Sequence, residues 1–258
     1  MINAKIASAS STTHHVIIGA SSAIANAVIR RIKSNTSSST TDNVITAISR
    51  SSAPDNWCIS NKGDALWLQS DYEEQSIDRI CDDYAERLAS ADSIIICNGK
   101  LHDLELQPEK RLADFSIPDF QKVLYCNTLV PLLWLQKLQA LISRSKPVNI
   151  AVFSARVASI EDNHLGGWYS YRSSKAALNM LVKNFAIELS RTRPRARLFL
   201  FHPGTTDTPL SQPFQKNVPT EKLFTPDFVA QRLLTLMAEA QLETNLAYID
   251  WNGKPIPW

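Results

Sequence analysis

Short, almost wholly apolar runs alternate along this chain with longer stretches whose apolar residues recur every three or four positions. The runs fall at residues 16–18, 44–48, 65–68, 93–97, 148–153 and 197–201, with a shorter one at 247–249. A strand that is apolar on both faces belongs in a parallel sheet covered on both sides. Helical spacing is predicted over 26–32, over 73–89 with Ile77, Ile80 and Tyr84 facing inward, and over 119–142 with Val123, Leu132, Leu135 and Leu138. Two further helices are predicted, one around Leu178, Leu181, Phe185 and Leu189 ending near Arg191, the other over 226–240. Six or seven such alternations, joined by right-handed crossovers, predict an α/β doubly wound parallel sheet of about seven strands with helices on both faces. Ligands of such a sheet bind at the carboxyl ends of its strands, where Gly19, Arg50, Asp71, Gly99, Ser154 and Pro203 all fall. Three polar stretches lack periodicity. Residues 35–41 read as a surface loop, 100–118 as a loop flanking a lid, and 210–225 as a mobile lid in which Phe214 and Phe224 are candidate substrate contacts.

Composition narrows the function classes. The 258 residues suffice for one large α/β domain, and no compositional break divides them; residues 1–14 read as a flexible segment and 15–258 as a single domain. Hydrophobic residues make up 44% and charged residues 20%, with a formal charge of +2, so nothing points to a nucleic-acid or lipid surface. Cys58, Cys81, Cys97 and Cys126 have no metal-ligand spacing and read as reduced thiols. No metal site is expected. Without a signal-peptide core or a membrane-length apolar run, the expected location is the cytoplasm.

The chemistry concentrates in a few places. Tyr171 and Lys175, four apart, share a helix face, and a neighbouring ammonium favours the phenolate, which makes Tyr171 a candidate proton donor. The first apolar run ends in Gly19-Ala20-Ser21-Ser22-Ala23-Ile24-Ala25, a tight turn into a helix whose free amides suit a pyrophosphate. After the second run, Arg50 between two serines suits a ribose 2′-phosphate, favouring NADP(H) over NAD(H). Ser154 follows the fifth run, and His202-Pro203-Gly204 ends the sixth.

Together, Tyr171-x-x-x-Lys175 with Ala176-Ala177-Leu178-Asn179, Ser154 and His202-Pro203-Gly204-Thr205-Thr206-Asp207-Thr208 resemble the short-chain dehydrogenase/reductase family, and within it the bacterial C-factor-like branch. The resemblance implies a Rossmann-type fold, an NADP(H)-dependent oxidoreductase interconverting a carbonyl and an alcohol, and a homodimer or homotetramer pairing the two long helices, with Trp134, Leu138 and Phe185 equally candidates for that interface or for the core. It implies that Ser154 positions the carbonyl, that Lys175 holds ribose hydroxyls and lowers the Tyr171 pKa, and that Asn127 holds a helix bulge and a water. Asp71 would lie near the adenine, while Pro203, Gly204, Thr206 and Thr208 would hold the nicotinamide carboxamide. The chain departs from the pattern in three places. The family's Gly-x-x-x-Gly-x-Gly retains only Gly19, with Ala23 and Ala25 at the other positions. Its Asn-Asn-Ala-Gly is replaced by Ile96-Cys97-Asn98-Gly99, so Asn98 serves either the cofactor or a turn. Its serine motif aligns so that Ala155 takes the serine's place, leaving Ser154 or Ser159 for the role. One other function remains open, a nucleotide-binding or signalling protein with little turnover; a serine hydrolase built on Ser154 is discounted, because the Gly-x-Ser-x-Gly elbow and a credible histidine are lacking.

Overall fold

The computed structural model of the chain describes residues 12–36, 42–55, 57, 64–239 and 244–258. Its strands are β1 (Thr12–Ile18), β2 (Asp42–Ser49), β3 (Ala65–Gln69), β4 (Ser93–Ile96), β5 (Val148–Phe153), β6 (Ala196–His202), β7 (Thr205–Thr206), β8 (Leu223–Phe224) and β9 (Leu246–Asp250). Seven of them form one parallel sheet in the order β3-β2-β1-β4-β5-β6-β9, and β7 and β8 pair separately. The chain winds outward through β1, β2 and β3, then crosses back to lay β4 beside β1. That reversal opens a crevice at the carboxyl ends of β1 and β4.

Alternation along the strands splits the core in two. Val16 and Ile18 face a layer containing α2 (Glu74–Asp83), α3 (Ala85–Ala89), α5 (Val130–Leu138) and α6 (Tyr169–Thr192), with α4 (Ile117–Leu124) packed on α6. Ile17 faces the opposite layer, made by α1 (Ala23–Thr36) and α7 (Pro226–Glu239). Each buried Ile or Leu in these layers stabilises the fold by about 1.5–3 kcal/mol relative to exposure, which the apolar strands exploit on both faces.

Several boundaries differ from expectation. The predicted flexible segment 1–14 ends early, because residues 12–14 already pair with 42–44 of β2; residues 1–11 lie outside the described residues. Of the predicted loop 35–41, residues 35 and 36 close α1 and the remainder is outside the described residues, as is Cys58. The helix predicted over 73–89 is two, divided where Tyr84 leaves helical geometry (φ −118°, ψ 24°). The helix predicted over 119–142 is interrupted by a π-helical turn at Tyr125–Leu129 and ends at Leu138. Pro131 has no amide with which to bond the carbonyl of Asn127 four residues back, so one α-helical bond is missing where the register shifts. Trp134, Leu138 and Phe185, open between an oligomer interface and the core, are buried in the core. Among the described residues no helix is long and apolar enough to cross a membrane.

Candidate active site

The turn between β1 and α1 survives the loss of two glycines. Gly19 has φ +79°, and a Cβ there would stand 3.1 Å from the Cys97 carbonyl carbon and 3.2 Å from the Asn98 amide, so the retained glycine is required twice over. Ala23 and Ala25 are the first and third residues of α1, and neither has a positive φ. Ala25 is fully buried in the core. A methyl at a helical φ costs no backbone strain, which is how the turn accommodates both alanines. Ser22 caps the helix, its Oγ accepting from the Ala25 amide at 3.3 Å. The Gly19 amide donates to the Ile48 carbonyl (2.9 Å) and to the Tyr72 hydroxyl (3.1 Å), which in turn donates to Ile48. Tyr72 has an unusual positive φ of 71° and braces the turn from behind. Nothing in the sequence singles it out, because the brace exists only once β2 and the loop after β3 meet.

Beside this turn lies a cavity of about 390 Å³, lined by Ser21, Ser22, Ile24, Asn98, Gly99, Ser154, Tyr171, Lys175, Pro203 and Thr208. The Asn98 Oδ1 is buried there without a partner, and a Cβ on Gly99 would meet nothing within 4 Å. The cap, the open backbone and the unmatched amide oxygen fit a dinucleotide. Arg50 and Asp71 stand outside the cavity and are exposed. The Arg50 guanidinium carbon lies 6.0 Å from the Tyr72 ring centroid, and the Asp71 carboxylate accepts from the Glu73 amide at 2.9 Å.

A second cavity, of about 230 Å³, shares Ile24, Ser154, Tyr171, Pro203 and Thr208 with the first and adds Gly204, Thr206 and His202. Gly204 has φ +72°, and a Cβ would stand 2.6 Å from the Phe224 ring. Phe224 thus packs behind the turn with Phe228 and Trp251 and is no substrate contact, whereas Phe214 lines the cavity. Thr208 Oγ1 and Ser211 Oγ both donate to the Thr206 carbonyl, at 3.3 and 2.5 Å, holding this loop in place.

From the first turns of α6, Tyr171 reaches the junction of the two cavities and Lys175 the larger one. The Lys175 ammonium donates to the Phe153 carbonyl at 2.7 Å. Burial pushes it down to about 8 and pushes the Tyr171 phenol up to about 12. Burial, which disfavours the phenolate, is what raises Tyr171. Asn127 sits in the π-helical turn as a helix bulge, its amide donating to the Lys100 carbonyl (2.8 Å) and Ser174 Oγ (3.0 Å) and its Oδ1 accepting from the Lys100 amide (2.6 Å).

Of the two candidate serines, only Ser154 lines the cavities. Ser159 is a turn residue, accepting from the Asp162 amide at 3.0 Å and donating to the Trp258 carbonyl. Ser154 Oγ donates to Asn179 Oδ1 at 2.6 Å, while the Tyr248 hydroxyl, beside Asn179, donates to the Ala155 carbonyl at 2.7 Å. Ser154, His202 and Asp250 follow one another across β5, β6 and β9. They form no hydrolytic relay, because the serine hydrogen goes to Asn179 and Asp250 is held by the Asn252 and Lys254 amides and by Arg156. That removes the hydrolase reading.

One contributor escapes sequence reasoning entirely. Glu109, in the aperiodic segment 100–118, is buried at the start of α6 and accepts from the Ser170 amide (3.1 Å) and the Ser170 hydroxyl, while its carbonyl takes the Trp168 amide. A carboxylate there is favoured by the helix dipole. It fixes Trp168, whose φ of 52° follows two left-handed glycines, Gly166 and Gly167.

The fold is thus a doubly wound α/β sheet with a cavity at the carboxyl ends of its strands and a tyrosine and a lysine lining it. The family described as short chain dehydrogenase matches residues 13–219, and the chain belongs to it. A 1-hydroxy-2-glutathionyl-2-methyl-3-butene dehydrogenase of Rhodococcus sp. (strain AD45) is 35% identical over 133 residues, which are 51% of this chain and 55% of that protein. The match thus spans about half of that relative's length. The C-signal of Myxococcus xanthus is 29% identical over 148 residues, 57% of this chain and 83% of the relative. A short-chain dehydrogenase/reductase from Burkholderia multivorans with bound NADP superimposes with a TM-score of 0.76 at 21% identity, covering 95% of this chain and 99% of that one.

Proposed function

We propose that the protein is an NADP(H)-dependent carbonyl reductase. The observation that carries this reading is the position of Ser154 and Tyr171, which line both cavities and so stand where a nicotinamide and a carbonyl compound would meet. NADPH, when bound, supplies hydride. Ser21, Ser22, Ile24 and the α1 amides hold its pyrophosphate, Arg50 its 2′-phosphate, and Asp71, Asn98 and Gly99 its adenine half. Pro203, Gly204, Thr206 and Thr208 hold the carboxamide, and Lys175 the ribose hydroxyls. Tyr171 donates the proton: a phenol held at about 12 keeps its hydrogen at neutral pH, as an acid for a developing alkoxide must. Ser154 reaches the carbonyl oxygen once its hydroxyl turns away from Asn179, and Asn127 holds a water beside Lys175. The subunits pair through the outer faces of α5 and α6 and the π-helical turn, where Leu129, Met180 and Ile187 are exposed, giving a homodimer or homotetramer.

The test is steady-state reduction of a carbonyl panel by NADPH. Tyr171→Phe is expected to lose about 10²–10⁴-fold in kcat; unchanged turnover refutes the assignment of the acid. The similarity to C-signal favours a second reading, a signalling protein that keeps the nucleotide with little turnover. Tight NADPH binding with no reduction of any compound in the panel is its signature.

A further inference from the structure

Two buried serines mark where α6 is gripped from outside. Ser170 and Ser174 lie four apart on the helix, and each directly precedes a residue of the candidate active site, Tyr171 and Lys175. Ser174 is held by Asn127, whose amide donates to its Oγ at 3.0 Å, and by Thr128, whose hydroxyl donates to its carbonyl at 2.7 Å. Ser170 is held by Glu109: its amide donates to the carboxylate at 3.1 Å, and its hydroxyl donates to the same group. Asn127 also holds the amide and carbonyl of Lys100, so both grips belong to one unit, the π-helical turn and the segment that follows β4.

Glu109 brings a carboxylate into the interior, drawn in with Leu101 and Leu106 of the same segment. Among the described residues it pairs with no cation; the two Ser170 donors and the positive end of the 24-residue helix α6 stand in for one. The Glu109 carbonyl takes the Trp168 amide at 2.5 Å. Gly166, Gly167 and Trp168 have φ of 65°, 65° and 52°, and a left-handed tryptophan persists only where its surroundings hold it. The Trp168 side chain does not cap α6, so the capping falls to Glu109 and the indole is free to line the smaller cavity. There it meets Tyr171 edge to face at 6.1 Å and Phe214 at 5.0 Å. Glu109 itself lines neither cavity.

We infer that Glu109 is a positioning residue for the reduction: by fixing Ser170 and Trp168 it sets the Tyr171 hydroxyl and the indole against the carbonyl compound, as Asn127 sets the turn that bears Lys175. This rests on the carbonyl reductase reading. A misplacement of about 1 Å at the reacting groups costs about 10²-fold in rate. The β1–α1 turn is braced by Ile48 and Tyr72 instead, so nucleotide affinity should be spared.

The experiment measures kcat, KM, NADPH affinity and melting temperature for the wild type, Glu109→Ala and Glu109→Gln, with NADPH and the panel compound that the wild type reduces fastest. Glu109→Ala should lose at least about tenfold in kcat with NADPH affinity retained. Glu109→Gln, which keeps an oxygen for the Ser170 donors, should recover part of that loss. If Glu109→Ala does not fold, Ser170→Ala, which removes only the hydroxyl, carries the same test with a smaller loss. A second readout needs no turnover: acrylamide quenching of tryptophan fluorescence should rise in the Glu109 or Ser170 variant, and the rise should vanish in a Trp168→Phe background. Wild-type kcat in a folded variant, a lowered melting temperature as the sole effect, glutamine no better than alanine, or a quenching rise that persists without Trp168 overturns the inference while leaving the reductase reading intact. A wild type that reduces nothing in the panel overturns the reductase reading instead, and the quenching comparison then decides whether Glu109 holds Trp168.

Discussion

His14 and His202 lie towards opposite ends of the same sheet, and burial pushes both imidazoles down to about 4. Their surroundings differ. Ser90 Oγ gives its hydrogen to the Arg87 carbonyl and so accepts from His14 Nδ1 at 2.8 Å. Arg87 Nε donates to Thr46 Oγ1, whose own hydrogen goes to His14 Nε2 at 2.9 Å. Every polar atom of that chain is used, and only a neutral His14 completes it. His202 Nδ1 meets nothing. The same downward shift thus accompanies a fully bonded imidazole at one end and one with a buried, unpartnered Nδ1 at the other. What separates them is the accounting of hydrogen bonds rather than the pKa.

The comparison can be broken most sharply at Tyr171. Tyr171→Phe should remove about 3–5 kcal/mol of transition-state stabilisation and leave thermal stability unchanged, as its hydroxyl is needed for chemistry alone. If the variant instead melts early with normal kcat, the carboxyl end is a structural region like the other. His14→Leu should do the reverse, costing about 2–4 kcal/mol of stability in chemical denaturation because Ser90, Thr46 and Arg87 lose their shared partner, with kcat untouched below the melting transition. Arg50→Ala should weaken NADPH about ten- to hundredfold in calorimetry and leave NADH affinity alone, the difference reporting the 2′-phosphate.

The smallest effect is on pH. An unfolded histidine takes up a proton near 6.5, whereas His14 and His202 do so only near 4. Between those values the unfolded chain binds more protons, so stability should fall as pH drops from about 6.5 towards 4, with no histidine contribution above that window. Denaturation midpoints across the range check this, and His14→Leu should flatten part of the slope.

How far these regions were legible in the sequence follows from the same contrast. The strands could be read because a sheet buried on both faces demands apolar runs, and Tyr171 with Lys175 because helical spacing is local. The position of Ser154 could be read from the end of β5, although its bond to Asn179 could not. Glu109, Tyr72 and the ties around His14 were invisible, since each joins residues far apart in sequence and none has a periodic or motif signature. Ala23 and Ala25 depart from the glycine pattern but cost no backbone strain, because neither needs a positive φ. The interruption at Tyr125–Leu129 breaks a helix that the apolar spacing alone reads as continuous, and only the resemblance, through Asn127, pointed to a bulge there.

On the proposed function, the turn with its two alanines still cradles NADPH beside Tyr171. Calorimetric titration of the wild-type protein with NADPH and then NADH tests it directly. Saturable binding of NADPH, tighter than that of NADH and retained in Tyr171→Phe, is the predicted result. Failure of either nucleotide to bind would contradict the claim and leave the crevice without its proposed occupant.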